Sequence, residues 1–217
     1  MVSDYFEETK TELENTIPEY DSVEFHKMQE HIRKELQKKE SEFKLLVRSL
    51  KVLILGDWTP ESKMQLLRNV RDTLLRSGYY AQTIDCYHDP RKHDGLPAQE
   101  VLESCCTTHQ LIVFIDGEGK GTVTEQEYLR QNYLFQGKVI FFIDESKFNE
   151  HSHNPLKYFR IFPAIVTYKP NELSDKVLTY SALRLYRLAE IIQLQAKMRR
   201  GISGANYMPW SKRLGKH

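Results

Sequence analysis

The stretch Asp116-Gly117-Glu118-Gly119-Lys120-Gly121-Thr122-Val123-Thr124-Glu125-Gln126-Glu127-Tyr128 holds the residues best suited to chemistry. Its three glycines at alternate positions let backbone approach a ligand closely, because no Cβ stands in the way. Two acids, Glu125 and Glu127, follow in the first turn or so of a helix expected over residues 124–135. Near a helix N-terminus the macrodipole favours an ionised carboxylate. Such a group suits a nucleophile or an electrostatic partner for a cationic transition state, and glycosidic cleavage passes through an oxocarbenium-like state of that kind. Acidic capping of an ordinary helix explains the same residues more plainly.

The surrounding pattern is a hydrophobic strand ending in Asp116, a glycine-containing loop, Glu125-x-x-Tyr128 opening a helix, then Gly137-Lys138 and another strand. It resembles the nucleoside 2-deoxyribosyltransferase family and the related TIR-like glycohydrolases over about residues 51–145, through short motifs. The resemblance implies a nucleoside, nucleotide or NAD-like ligand. It also implies a helix-start glutamate that attacks or stabilises the ribose C1′ while a base or nicotinamide leaves. Glu125 matches that position because Tyr128 follows it at the family's spacing; Glu127 is the second candidate. Two features depart from the family: the helix runs about one turn longer before Gly137, and Gly56-Asp57-Trp58 lacks the aromatic-rich opening frequent in the transferases. A non-catalytic nucleotide-sensing or interaction module is the alternative they leave open.

In an open parallel sheet, ligands bind beyond the carboxyl ends of the strands, where the strand order reverses. That rule adds Gly56, Asp57, Trp58 and Thr59 after the first strand and Asp85 at the end of the second. It also selects Asp116, Gly117, Gly119 and Gly121 after the third. The helix expected after Thr59 offers free N–H groups for an anion, as almost every such domain does. Neither the spaced triple-glycine dinucleotide fingerprint nor a Gly-Lys-Ser/Thr phosphate loop occurs, and no cofactor is expected. His88 and His93, with Asp85, Asp89 and Asp94, share one polar loop, but no spacing matches a metal site. Cys86, Cys105 and Cys106 make a poor disulfide framework and read as buried free thiols in a reducing compartment.

The elements that would position these residues follow from periodicity. Phe25, Met28, Ile32, Leu36, Phe43, Leu46 and Leu50 mark one stripe of a long helix over residues 23–50. Its other faces carry the i,i+4 pairs Glu30/Lys34, Glu35/Lys39 and Glu40/Lys44. That stripe either packs across the domain or pairs with a second copy, giving a homodimer. Strands are expected at 51–55, 79–84, 110–115, 138–143 and 164–168, alternating with helices from Thr59 to Gly78, at 98–107, at 124–135 and from Ser174 to near Gly201. The last helix shows a core stripe of Leu178, Ala182, Leu185, Ala189 and Ile192. Strand–helix alternation means βαβ units and a doubly wound, mostly parallel five-stranded sheet of the Rossmann or flavodoxin-like kind, ordered 2-1-3-4-5. The chain thus divides into an acidic segment and long helix (1–50), an α/β domain (51–200) and a basic tail (201–217).

Bulk composition limits the partners. The 217 residues include 31 basic and 30 acidic side chains, a formal charge of +1, which argues against nucleic acid as a partner. The tail residues Lys197, Arg199, Arg200, Lys212 and Arg213, with Tyr207 and Trp210, mix charge and aromatics as some RNA-binding segments do, although a solvated tail is the plainer reading. The first residues are acidic with no apolar run, so no signal peptide is expected. The longest apolar runs are strand-length, too short to span a membrane, which leads us to expect a cytoplasmic protein.

Overall fold

A computed structural model describes residues 22–58, 61–87, 98–150 and 164–201. Thr59, the loop from His88 to Gly95, the segment around His151 and His153, and the basic tail lie outside them. The chain divides into two compact units, Met1–Leu45 and Leu46–His217. In the first, helix α1 (Val23–Ser49) starts where the Ser22 hydroxyl accepts the Phe25 amide at 3.1 Å, an N-cap. Two of the expected ion pairs close along it, Lys34–Glu30 at 2.7 Å and Lys44–Glu40 at 2.6 Å. Its apolar stripe stays exposed at Met28, Ile32 and Leu36. The last turn of α1 belongs to the second unit, where Val47 and Leu50 are buried.

The second unit is a five-stranded parallel sheet in the order β2-β1-β3-β4-β5. Its strands are β1 (Lys51–Leu55), β2 (Tyr80–Thr83), β3 (Leu111–Ile115), β4 (Val139–Asp144) and β5 (Ile165–Tyr168). The central strands are apolar on both faces because helices cover both: Val52 to Leu55 and Leu111 to Phe114 are fully buried. Helix α2 (Glu61–Arg76) packs beside the last helix, α7 (Leu173–Gly201). Among the described residues the other helices are α3 (Ala98–Thr108), α4 (Lys120–Gln131), the short α5 (Tyr133–Gln136) and α6 (Glu145–Glu150). From α3, α4 and α5, the residues Val101, Leu102, Cys105, Cys106, Leu129 and Phe135 close one core with Leu53, Leu55, Ile112, Phe114 and Phe141. Phe114 and Phe141 stack at 5.3 Å. The doubly wound class and the strand order agree with the sequence reading.

Three elements differ from expectation. The second strand ends at Thr83, and Ile84–Cys86 turns as a 3-10 helix. The buried stripe of α7 is Leu173, Val177, Ser181, Leu185 and Ala189, with Ile192 exposed. The third difference bears on the site: α4 begins at Lys120, five residues before Glu125, and Asn132 breaks it from α5 by accepting the Leu134 amide at 3.1 Å.

Candidate functional site

Beyond the carboxyl ends of β1 and β2, between α3 and α4, lies a hollow of about 750 Å³. That volume is within the range of small-molecule sites. Trp58 comes from the loop after β1, Ile84 and Asp85 from the turn after β2. Gln99, Val101 and Leu102 come from the start of α3; Gly121, Val123, Thr124, Glu125, Glu127, Tyr128 and Gln131 come from α4. Most of the surface that bounds it is apolar.

Glu125 is the exceptional side chain. The residue is half-buried, but its Oε2 is shut away from solvent and has no hydrogen-bond partner among the described residues. Burial in this apolar lining, with the Asp57 charge adding to it, pushes the carboxyl up to about 8. The sequence reading placed Glu125 in a first helical turn, ionised by the dipole. It stands instead in the second turn, where the dipole has faded, and desolvation dominates. At neutral pH it carries a proton. The Trp58 indole Nε1 is likewise buried without a partner. Both residues line the hollow, and each buries one polar atom of a kind that ordinarily finds a partner.

Glu127 differs from its neighbour in every respect. Arg130 grips it through both Nε, at 2.6 Å, and Nη2, and Gln131 Nε2 adds a bond at 2.7 Å. A carboxylate held so firmly is a structural anion. Asp85 is similarly engaged, by Thr83 Oγ1 and by Arg68 Nη2 at 3.2 Å. Tyr128 lies against the hollow with its ring 6.1 Å from that of Phe135, and burial raises its phenol.

The glycines split by role. A Cβ on Gly117 would fall 2.6 Å from Asp57 Cβ, and one on Gly119 would fall 2.5 Å from Asp57 Oδ1. Asp57 Oδ2 also accepts the Gly119 amide at 3.1 Å. These two glycines make room for a buried aspartate rather than for a ligand, and Asp57, Gly117 and Gly119 do not line the hollow. Gly56 is a close-approach glycine too, since its Cβ would sit 2.9 Å from the Ile115 carbonyl oxygen and from Leu67 Cδ2. Asp116 faces Lys147 at 3.9 Å, away from the hollow. Gly121 alone of the loop glycines opens onto free space, with nothing within 4 Å of a would-be Cβ, and it lines the hollow. Thr59 lies outside the described residues.

Sequence reasoning missed the α3 wall of Val101 and Leu102. Their signal was an apolar pair opening a helix beyond a strand end, indistinguishable in one dimension from ordinary core. Of the three cysteines, Cys105 and Cys106 are buried free thiols as expected, whereas Cys86 is exposed. Among the described residues no cluster of three or more His, Cys, Asp or Glu is placed to hold a metal, and no helix is long and apolar enough to cross a membrane.

No protein-family model matches the chain, and no curated protein matches it. Among solved structures it is similar to a short-chain flavodoxin associated with a non-canonical PDU bacterial microcompartment. Identity is 12%, the match covers 64% of this chain and 99% of that one, and the TM-score is 0.37.

Proposed function

We propose that the hollow binds a nucleoside-type ligand and that Glu125 promotes cleavage of its N-glycosidic bond. The observation that carries this reading is Glu125, an acid in the lining of a ligand-sized, largely apolar space, whose buried Oε2 has no hydrogen-bond partner among the described residues. Trp58 and Tyr128 supply flat surfaces of the kind a heterocyclic base stacks on. The Glu-x-x-Tyr resemblance points to the same bond.

The retained proton sets the role. A protonated Glu125 donates to the departing base nitrogen as the C1′–N bond breaks and the ribosyl group takes on oxocarbenium character. Water then forms the new C1′–O bond and returns a proton to the carboxylate. Base-H and a free sugar hydroxyl are the products, and the acid is regenerated. General acid catalysis of this sort contributes roughly 10²–10⁴-fold.

The test is release of free base from a panel of nucleosides, nucleotides and NAD, followed by chromatography. Wild type releases base from at least one member, and Glu125→Gln, which keeps the shape but has no transferable proton, loses at least 10²-fold while melting normally. No release across the panel defeats the catalytic reading.

A second reading is favoured by the exposed Met28, Ile32 and Leu36 on α1. It makes the chain a nucleotide-sensing module that dimerises through this helix. Sedimentation of the full chain against Ile32→Glu/Leu36→Glu checks it: a dimer converted to monomer supports the reading, and a wild-type monomer at micromolar concentration removes it.

A further inference from the structure

We propose that the hollow selects against phosphate, taking an uncharged nucleoside in preference to its 5′-monophosphate; this rests on the reading above. Three carboxyl groups line it, Asp85, Glu125 and Glu127, and no Lys or Arg lines it among the described residues. Among the described residues, two nearby cations are already engaged by those carboxyls. Arg68 reaches Asp85 at 3.2 Å, and Arg130 holds Glu127 at 2.6 Å, each from outside the lining.

In each pair the acidic residue borders the hollow and its arginine does not. A phosphate entering the hollow would meet carboxylate oxygens first, in surroundings where apolar walls weaken screening. It would also shed water without gaining a fixed cation in return. Among the described residues, the buried polar atoms of the lining residues that have no hydrogen-bond partner are the indole N–H of Trp58 and Oε2 of Glu125. That is one donor plus one group able to donate or accept, a set suited to the hydroxyls and ring nitrogens of a nucleoside.

Phosphate-binding sites in doubly wound folds depend on a glycine-rich turn feeding amide groups at a helix N-terminus. Here the loop before α4 is spent on Asp57, whose carboxylate already accepts the Gly119 amide. That amide is therefore already taken.

The experiment is calorimetric titration of the full chain with four common nucleosides and their 5′-monophosphates, in matched buffer at low and high salt. The expected result is that a nucleoside binds at least tenfold more tightly than its own monophosphate, and that the gap narrows with salt and in Glu127→Gln. A monophosphate that binds as tightly as its nucleoside, or more tightly, overturns the charge selection and leaves the nucleoside-type reading standing. Binding of neither class removes both.

Discussion

The Asp57 carboxylate accepts the Gly119 backbone amide at 3.1 Å, across a chain separation of 62 residues. This one bond ties the loop after β1 to the loop after β3, and so fixes Trp58 relative to α4 and Glu125. Its negative charge also adds to the desolvation that keeps Glu125 protonated. Asp57 therefore acts on the hollow without lining it: it sets the position of one wall and helps set the protonation state of the acid on the other.

Substitutions at the loop glycines should separate these roles. Gly117→Ala and Gly119→Ala each force a Cβ into Asp57, at 2.6 and 2.5 Å, and we expect losses of about 1–3 kcal/mol as in other overpacked sites. The contacts differ: Gly117 meets Asp57 Cβ, whereas Gly119 meets Oδ1. Asp57→Ala removes the oxygen and keeps the Cβ. In denaturant titrations the Gly119→Ala/Asp57→Ala double variant should be more stable than the summed single effects, while Gly117→Ala/Asp57→Ala shows little such relief. Gly121→Ala, inside α4 with open space around it, should be neutral or stabilising by up to about 1 kcal/mol.

The pH dependence of stability should carry the Glu125 signature. Its folded-state value, about 8, lies above the ordinary 4.5, so the folded protein binds the extra proton between those limits. The unfolded chain binds fewer protons there, and stability from this group falls as pH rises through that window. The cost is absent below about 4.5 and complete above about 8, on the order of a few kcal/mol. Glu125→Gln should flatten the decline between pH 5 and 8 in a melting series. A profile unchanged by that substitution means that the acid is solvated.

How much of this was legible beforehand follows from what each signal depends on. The strand order and layers were readable because runs such as Lys51–Leu55 and Leu111–Ile115, punctuated by Gly56 and Gly78, report burial on two faces directly. Gly78 is a clear instance: it adopts φ +83° and closes α2 with its amide to the Leu75 carbonyl at 2.9 Å and that of Tyr79 to Leu74 at 3.0 Å. Glu125 could be singled out by its place after a glycine loop. Its protonation could not, because that depends on Asp57, 68 positions earlier, and on the α3 wall. The start of α4 was misread because Lys120 and Gly121 look like loop, and Gly119 begins the helix without any side-chain cap.

Lys138 should prove structural out of proportion to its residue type. Its ammonium donates to the Cys106 and His109 carbonyls, each at 3.0 Å, and so satisfies the open C-terminal end of α3. Burial holds its pKa below the ordinary lysine value. Lys138→Met keeps the stem and removes the donors, leaving part-buried carbonyls unpaired, and we expect a loss of about 1–3 kcal/mol. Because α3 carries Val101 and Leu102, the same variant should weaken any ligand bound in the hollow. Equal stability of Lys138→Met and wild type in urea would show that water serves these carbonyls as well.

The cysteines offer a check on the packing of α3 that needs no ligand. Burial pushes the Cys105 thiol up to about 11 and the Cys106 thiol up to about 12, so almost none of either is thiolate at pH 8. Cys86 is exposed at the end of the 3-10 turn. Brief iodoacetamide treatment of native protein at pH 8, read by peptide mass spectrometry, should alkylate Cys86 and spare the adjacent pair, with all three modified in guanidinium. Because thiol reactivity at the pair requires opening of α3, its rate with rising denaturant should track global unfolding. Fast labelling of Cys106 under native conditions would mean that α3 detaches locally, and the α3 wall of the hollow would then be a moving part.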